Sequence, residues 1–308
     1  MVILLYKILG CLPITNIMTE NLIFNQDFNV LKRQILKDKG FDCNQYRDNY
    51  VKRRLAIRLR ANNLDSYRDY AKLLNSDPME YNELIDALTI TVSEFFRDAS
   101  VFDYFRKNVI PALIRAKRKK KQKIIRIWSA GCASGEETYS IAILMHDFLG
   151  ANPENFLISV HGTDIDGDSL VKAKKGEYTF EEVKNVRKDS LAPYFVFDQG
   201  RYRINDKIKG LVKFERHDLI SDKPLAHFDV IFCRNVSIYF SRAMHERLHM
   251  EFYNALNNDG FFVLGKTERL CGTARKLFIP VNSKEGIYQK KVAQEDTGAR
   301  YRNTNDAH

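Results

Sequence analysis

Apolar residues recur at helical spacing from Phe28 to about Leu88, as in Tyr50, Leu55 and Leu59 and then Tyr67, Tyr70, Leu73 and Leu74. Polar breaks fall at Asn62-Asn63 and Ser76-Asp77-Pro78, so the periodicity predicts a small bundle of short helices. A further helical stretch from Ser100 to Arg115 runs into the charge run Lys117–Lys123, whose simplest reading is a solvated boundary. Beyond it the pattern changes to short β-branched or aromatic runs alternating with helical segments. Strands are predicted at Ile124–Trp128, Phe156–Gly162, Val212–His217, Phe228–Cys233 and Phe261–Gly265. Helices are predicted after Gly135 and over Asp168–Lys175 and Arg242–Leu256. Such alternation indicates a doubly wound α/β sheet, in which ligands sit at the carboxyl ends of the strands. Between Gly176 and Gly210 the alternation lapses, with Gln199–Asn205 a hairpin piece, so this stretch is a long insertion or a small β subdomain. The polar tail from Gln294 is expected to be disordered.

A chain of 308 residues with 44% apolar side chains can bury a real core, in one large domain or two ordinary ones. Lys and Arg number 49 against 39 Asp and Glu, a net charge of +10, and residues 1–123 carry +9 of it. An acidic partner is therefore expected to dock on the first part of the chain. The five cysteines, Cys11, Cys43, Cys132, Cys233 and Cys271, are odd in number and lack C-x-x-C spacing. That argues against a disulfide framework or zinc cluster and for a reducing cytoplasm. The apolar start MVILLYKILGCL is too short to span a bilayer and carries Lys7, so residues 1–18 are expected to be a disordered extension, with Met18 a candidate true start. No other segment predicts membrane insertion.

Four segments carry candidate chemistry. In WSAGCASGEE (Trp128–Glu137) a strand runs into a turn where Gly131 and Gly135 permit close backbone approach to a cofactor. The alternative is a tight turn that binds nothing. GTDID (Gly162–Asp166) ends the next strand, and Asp164 stands where a Rossmann-like site binds the ribose hydroxyls; Asp164 or Asp166 would otherwise be a helix N-cap. FDVIFCRNVSIYF (Phe228–Phe240) is a buried strand ending abruptly in Arg234-Asn235 and continuing to Tyr239, which suits an active-site rim; Asn235 as a strand terminator and Tyr239 as a packing residue are the plain alternatives. TITVSEFFRD (Thr89–Asp98) lies at the junction of the two parts, where its phenylalanines would wedge the domains together or Arg97 would serve the site. A fifth pattern, His245-Glu246-Arg247-Leu248-His249, matches the zinc-protease H-E-x-x-H helix. No remaining histidine stands at a recognised third-ligand spacing, so the match is taken as accidental and no metal is expected.

The segments SEFFRD, WSAGCASGEETYS, GTDID and FCRNVSIYF, in this order and spacing, resemble the CheR family, the S-adenosylmethionine-dependent methyltransferases that esterify glutamates on chemoreceptors. The likeness runs from about Phe28 to Lys291 and includes the basic stretch YVKRRLAIRLR. It implies a Rossmann-like methyltransferase sheet with an all-α N-terminal domain and a small β insertion. The implied organisation is a helical domain over 19–90, a linker and linking helix over 91–123, and a methyltransferase domain over 124–293 with an inserted β subdomain at 176–210. By the same resemblance Thr91, Ser93 and Arg97 border the cofactor and active site, and Glu137 and Asp164 meet the cofactor's polar groups beside Gly131. Asp218-Leu219 meet its adenine end, Asn235-Val236 form the site floor, and Arg97 and Tyr239 are the pair nearest the transferred methyl. Arg53, Arg54, Arg58 and Arg60 would dock an acidic helical receptor domain, although a charge run is also commonly a solvated face. The family usually has Asn at Thr91, Pro at Thr138 and a His-Ser-Glu-like run at Lys266-Thr267-Glu268.

Implied with these are S-adenosyl-L-methionine as cofactor, S-adenosyl-L-homocysteine as product, methyl-accepting chemotaxis receptors as partners, and a monomeric cytoplasmic enzyme. The departures motivate an alternative, a CheR-like cofactor-binding signalling or scaffold domain with little or no catalysis. A nucleic-acid methyltransferase is disfavoured because Asn235 is followed by Val236-Ser237, not by the Pro-Pro-aromatic run of enzymes acting on base amines.

Overall fold

The helical periodicity becomes a four-helix unit in the computed structural model, which describes residues 14–89, 91–150 and 156–291. Helices α1 (Ile14–Lys39), α2 (Asp48–Ala61), α3 (Tyr67–Ser76) and α4 (Pro78–Leu88) pack Leu31, Val51, Leu55, Tyr70 and Leu84 into one core. Asn62 ends α2 as its C-cap, Ser66 caps α3 through the Asp69 amide, and Asp77 caps α4 through the amides of Met79 and Glu80, so the polar breaks in the sequence are a helix end and a helix start. The expected extension lies outside the described residues up to residue 13, and α1 already runs through Met18. The expected tail from Gln294 lies wholly outside them.

Helix α5 (Ala99–Tyr104) continues through one wide turn at Phe105–Val109 into α6 (Ile110–Lys119). The charge run is not simply solvated. Lys117 is buried and pairs at 2.7 Å with the buried Asp229, whose carboxylate also accepts from the Arg126 amide and the Asn257 side chain. Residues 101–123 hold nine basic side chains and one acidic, which is nearly the whole positive excess of the first part. They lead into the amino end of the first strand, so most of the excess of the first part is carried by the segment through α6 and the turn after it and little of it by the helical unit.

The sheet then builds as predicted, from β1 (Ile124–Ala130), α7 (Glu136–Gly150), β2 (Leu157–Asp164) and α8 (Gly167–Lys175). After an insertion come β6 (Val212–Arg216), β7 (Phe228–Cys233), α12 (Arg242–Ala255) and β8 (Leu256–Leu264). A short helix α13 (Ala274–Leu277) leads into a hairpin that periodicity did not reveal, β9 (Phe278–Asn282) and β10 (Ile287–Lys290). Pro280 argues against a strand in sequence, yet β9 is the edge of the sheet, where a missing amide is tolerated. The order is β6-β2-β1-β7-β8-β10-β9, parallel except at β10.

The insertion is a three-stranded sheet, β3 (Glu177–Tyr178), β5 (Arg201–Ile204) and β4 (Phe195–Asp198) in spatial order, with short helices α9 (Phe180–Val183), α10 (Lys188–Tyr194) and α11 (Asp206–Lys209). Phe95, fully buried, packs edge-on against Tyr178 and Phe195 of this sheet, and Phe96 packs on Phe102. The paired phenylalanines therefore join the insertion to the α/β core; they do not wedge the helical unit. Among the described residues no helix is long and apolar enough to cross a membrane, and the described cysteines are free.

Candidate active site

Four strands, β1, β2, β6 and β7, end at one place. After β1 the chain turns at Gly131, at φ +76, and the amides of Gly131 and Cys132 both donate to the Thr163 carbonyl at the end of β2, at 2.8 and 2.9 Å. A Cβ at residue 131 would lie 2.4 Å from Val236 Cγ2, so only glycine lets this backbone meet the loop after β7. Asp164 follows in β2. One carboxylate oxygen accepts the Ala133 amide at 2.8 Å and the other accepts the Asp166 amide at 3.0 Å. The N-cap of α8 is Asp166, which accepts from Asp168 and Ser169, and this leaves Asp164 for the cavity. Burial holds its carboxyl above the ordinary aspartate value.

The end of β7 supplies an ionic knot. Arg234, buried, reaches Glu137 at 3.2 Å and Asp98 at 2.6 Å, donates to the Arg97 carbonyl at 2.9 Å and lies over the Phe102 ring. Glu137 also accepts the Ser129 hydroxyl at 2.9 Å. Burial raises the Glu137 pKa, with the Arg234 charge opposing it. Next to this knot Asn235 adopts φ +61. Its amide donates to Glu268 Oε2 at 2.8 Å, and the same carboxylate accepts the Gly265 amide at 2.8 Å and the Ser237 hydroxyl at 2.5 Å. Glu268 is buried, so the altered Lys266-Thr267-Glu268 run keeps a glutamate that fixes the loop carrying Asn235.

The helical unit closes the cavity. Tyr50 stacks obliquely on Tyr239 with ring centroids 4.8 Å apart and donates its hydroxyl to the Leu88 carbonyl at 2.7 Å. The Arg47 amide donates to the Tyr239 carbonyl at 2.9 Å and the Ser241 amide to the Gln45 carbonyl at 2.7 Å. His217, at the end of β6, donates its amide to the Asp164 carbonyl at 2.9 Å, and burial lowers the pKa of its ring.

The cavity so enclosed is lined by Thr91, Gly131, Asp164 and Asp218, and by Leu219, Asn235, Val236 and Tyr239. Ser93, Arg97 and Glu137 are not in its lining. Arg97 lies at the edge, where its guanidinium donates to the carbonyl of Val92, itself a lining residue. Glu137 stands behind the wall and touches the site through Arg234. Thr138 faces Gly162, where a Cβ would come within 2.7 Å of its hydroxyl. Of the basic positions on α2, Arg53 and Arg60 are exposed and Arg54 lies over the Tyr50 ring. Arg58 is already committed: it pairs with the buried Glu80 at 2.5 Å and with Glu83 at 3.2 Å, which corrects its assignment as a docking residue. Tyr46, Tyr50 and His217 are site residues that no motif pointed to, because they enter by tertiary packing, and Glu268 was noted only within a run that departs from the family. The ground for dismissing the His245/His249 pair also changes, since the fold brings Cys271 beside it.

The lining suits a nucleoside with polar ends. Each Asp164 oxygen accepts one backbone bond and keeps a lone pair for a hydroxyl donor. Asn235 Oδ1 is buried with no partner, an acceptor that a bound amine or amide donor would satisfy.

A CheR methyltransferase SAM-binding domain matches residues 91–287, and a CheR methyltransferase all-alpha domain matches residues 26–89. The chemotaxis protein methyltransferase of Listeria innocua is 31% identical over 249 residues, covering 81% of this chain and 92% of that protein. That of Salmonella typhimurium is 32% identical over 268 residues, covering 84% of this chain and 89% of that protein. That of Escherichia coli K12 is 31% identical over 268 residues, covering 84% and 90%. With both halves matched and the glycine turn, Asp164 and Asn235 gathered around one cavity, the chain belongs to the CheR methyltransferase family.

Proposed function

We propose that this protein transfers the methyl group of S-adenosylmethionine to glutamate side chains of chemoreceptor cytoplasmic domains, forming methyl esters. The observation that carries the reading is the composite cavity, in which the strand ends of a SAM-binding domain are roofed by Tyr46 and Tyr50 of the helical unit. The names of the relatives, chemotaxis protein methyltransferase, support methylation in chemotaxis, and the receptor glutamate as acceptor is what the family resemblance implies. Asp164 would hold the ribose hydroxyls, Asp218 and Leu219 the adenine end, and Asn235 and Val236 the floor, with Thr91 and Ser93 along the edge. When bound, the cofactor supplies an electrophilic sulfonium methyl.

The chain's own residues then have little acid–base work to do. A glutamate has an unperturbed pKa of about 4.3 and is already a carboxylate at neutral pH, so the reaction needs no general base. His217 is kept neutral by burial, and the Arg234 charge is answered by Glu137 and Asp98. Opposite charges vanish as an ester forms, which favours a dry, aligned site over a charged catalyst. Tyr239 and Tyr50 exclude water on the helical side, and Arg97 at the edge orients the incoming carboxylate. Exposed Arg53 and Arg60 on α2, the helix that carries Tyr50, would meet the acidic receptor helix next to the cavity.

The test is incubation with methyl-labelled cofactor and receptor cytoplasmic domains. Base-labile label on receptor glutamates is expected. Tight binding of S-adenosylhomocysteine with no transfer would favour a cofactor-binding signalling domain instead.

A further inference from the structure

Helix α12 presents His245 and His249 one turn apart, and the loop after β8 returns to place Cys271 against them. One ligand atom from each residue lies within 4.8 Å of the others. The Cys271 sulfur is 3.5 Å from His249 Nδ1, and the two imidazole rings are 4.5 Å apart at their centroids. His249 is fully buried; its Nδ1, the nitrogen beside the sulfur, accepts the Cys271 amide at 3.4 Å, while its Nε2 and that of His245 are buried without a hydrogen-bond partner. Two orphaned buried nitrogens in one cluster are uncommon in folded proteins, where such groups are normally satisfied. We propose that His245, His249 and Cys271 form a binding site for a thiophilic divalent cation, with zinc as its expected occupant.

The ligand chemistry selects the ion. Two imidazoles and a thiolate suit zinc, and cobalt as its spectroscopic substitute, and they exclude calcium and magnesium, which require oxygen ligands. Tetrahedral zinc, with bonds of about 2.0–2.3 Å, sets its ligand atoms roughly 3.3–3.8 Å apart, so small side-chain rotations close the site. On binding, the Cys271 thiol gives its proton to solvent and the thiolate offsets one of the two metal charges. Glu246 stands alongside: a Cβ at Gly272 would fall 2.9 Å from its carboxyl carbon.

This is not a protease centre, because Glu246 is held by Arg242 and none of the three ligands lines the cofactor cavity. Its position gives it another consequence. Cys271 lies in the same loop as Glu268, so an ion would clamp to α12 the segment that holds Asn235 in place.

The full chain, purified in reductant and stripped with a chelator, is titrated with zinc against a chromophoric competitor and, separately, with cobalt. One equivalent of zinc, a cobalt–thiolate charge-transfer band and a raised thermal midpoint are expected. Cys271→Ser should weaken zinc at least about 100-fold, the upper end of what loss of a mere supporting group costs. It should also abolish the band while leaving the metal-free circular dichroism unchanged. His245→Gln, at a half-buried position, should lower the affinity and retain the band. Absence of zinc binding, or binding of equal strength in wild type and Cys271→Ser, would overturn the proposal.

Discussion

Replacing Glu268 tests whether the site floor is held from behind. Its carboxylate serves three donors, the amides of Asn235 and Gly265 at 2.8 Å each and the Ser237 hydroxyl at 2.5 Å. In Glu268→Ala the hydroxyl can rotate to another acceptor, but the two amides are fixed by the backbone and stay buried. At roughly 1–3 kcal/mol for each buried donor left unpaired, the loss of stability should be about 2–6 kcal/mol. Glu268→Gln keeps one oxygen for both amides and turns its NH2 toward the Ser237 oxygen, so only the charge assistance is lost, about 1–2 kcal/mol. The damage should extend to the cofactor. Asn235 sits at φ +61, a conformation a non-glycine residue keeps only when its surroundings hold it there. Once its amide is released, Asn235 and Val236 leave the floor. Urea unfolding with unchanged slope gives the stability, and calorimetric titration of the folded protein with S-adenosylhomocysteine gives the affinity. An alanine variant as stable as wild type would refute the reasoning. A destabilised variant with unchanged affinity would confine Glu268 to folding.

Arg58→Ala should cost about 3 kcal/mol in denaturant unfolding, since it strands the buried Glu80, whereas Arg53→Glu with Arg60→Glu should leave the thermal midpoint in place and raise the receptor KM in a salt-dependent way. Docking elsewhere is indicated if that pair leaves the KM unchanged at both ionic strengths. Asp164, raised above 3.8 by burial, must be ionised to accept the ribose hydroxyls, so S-adenosylhomocysteine affinity should fall as pH drops through its elevated pKa and Asp164→Asn should flatten that dependence. The stability linkage has the opposite sense: a raised carboxyl contributes fully below its unfolded pKa, and the contribution is lost as pH rises through the folded one. Parallel affinity profiles for the two proteins would remove Asp164 from the site. Arg97→Ala should depress turnover severely with little change in thermal midpoint, because its side chain makes one exposed bond to Val92; early unfolding with normal turnover per folded molecule would make it a structural residue.

Strands β1, β2 and β7 and the glycine turn were legible because each strand buries β-branched residues and ends in residues with a definite backbone task, and β6 was legible through its alternation about the buried Phe214. The β9–β10 hairpin was not, since its edge position, which excuses Pro280, exists only in the assembled sheet. Asp164 was legible through its place after a strand, and the competing N-cap reading fell to Asp166 once both were in position. Arg58 misled because a basic residue on an amphipathic helix looks the same in sequence whether it faces water or a glutamate two helices away. Tyr46 carried no local signal, Tyr50 read as a core position of a helix, and Glu268 stood in a run read as a departure from the family. Each meets the site across a long stretch of chain, which spacing rules cannot span.

The backbone hydrogen bonds joining Gln45 and Arg47 to Tyr239 and Ser241 bear on how this protein can be divided. They bind main chain to main chain, and side chains reinforce the same seam, with Arg47 Nε donating to the Phe240 carbonyl at 3.2 Å and Tyr46 packing edge-on against Phe240. The two units are poor modules. A cut near residue 90 would pass through the cavity, leaving Tyr46 and Tyr50 on one fragment and Asp164 and Asn235 on the other. Exchange of the helical unit between relatives would thus remake the binding site along with the docking surface, and the two properties are bound to change together.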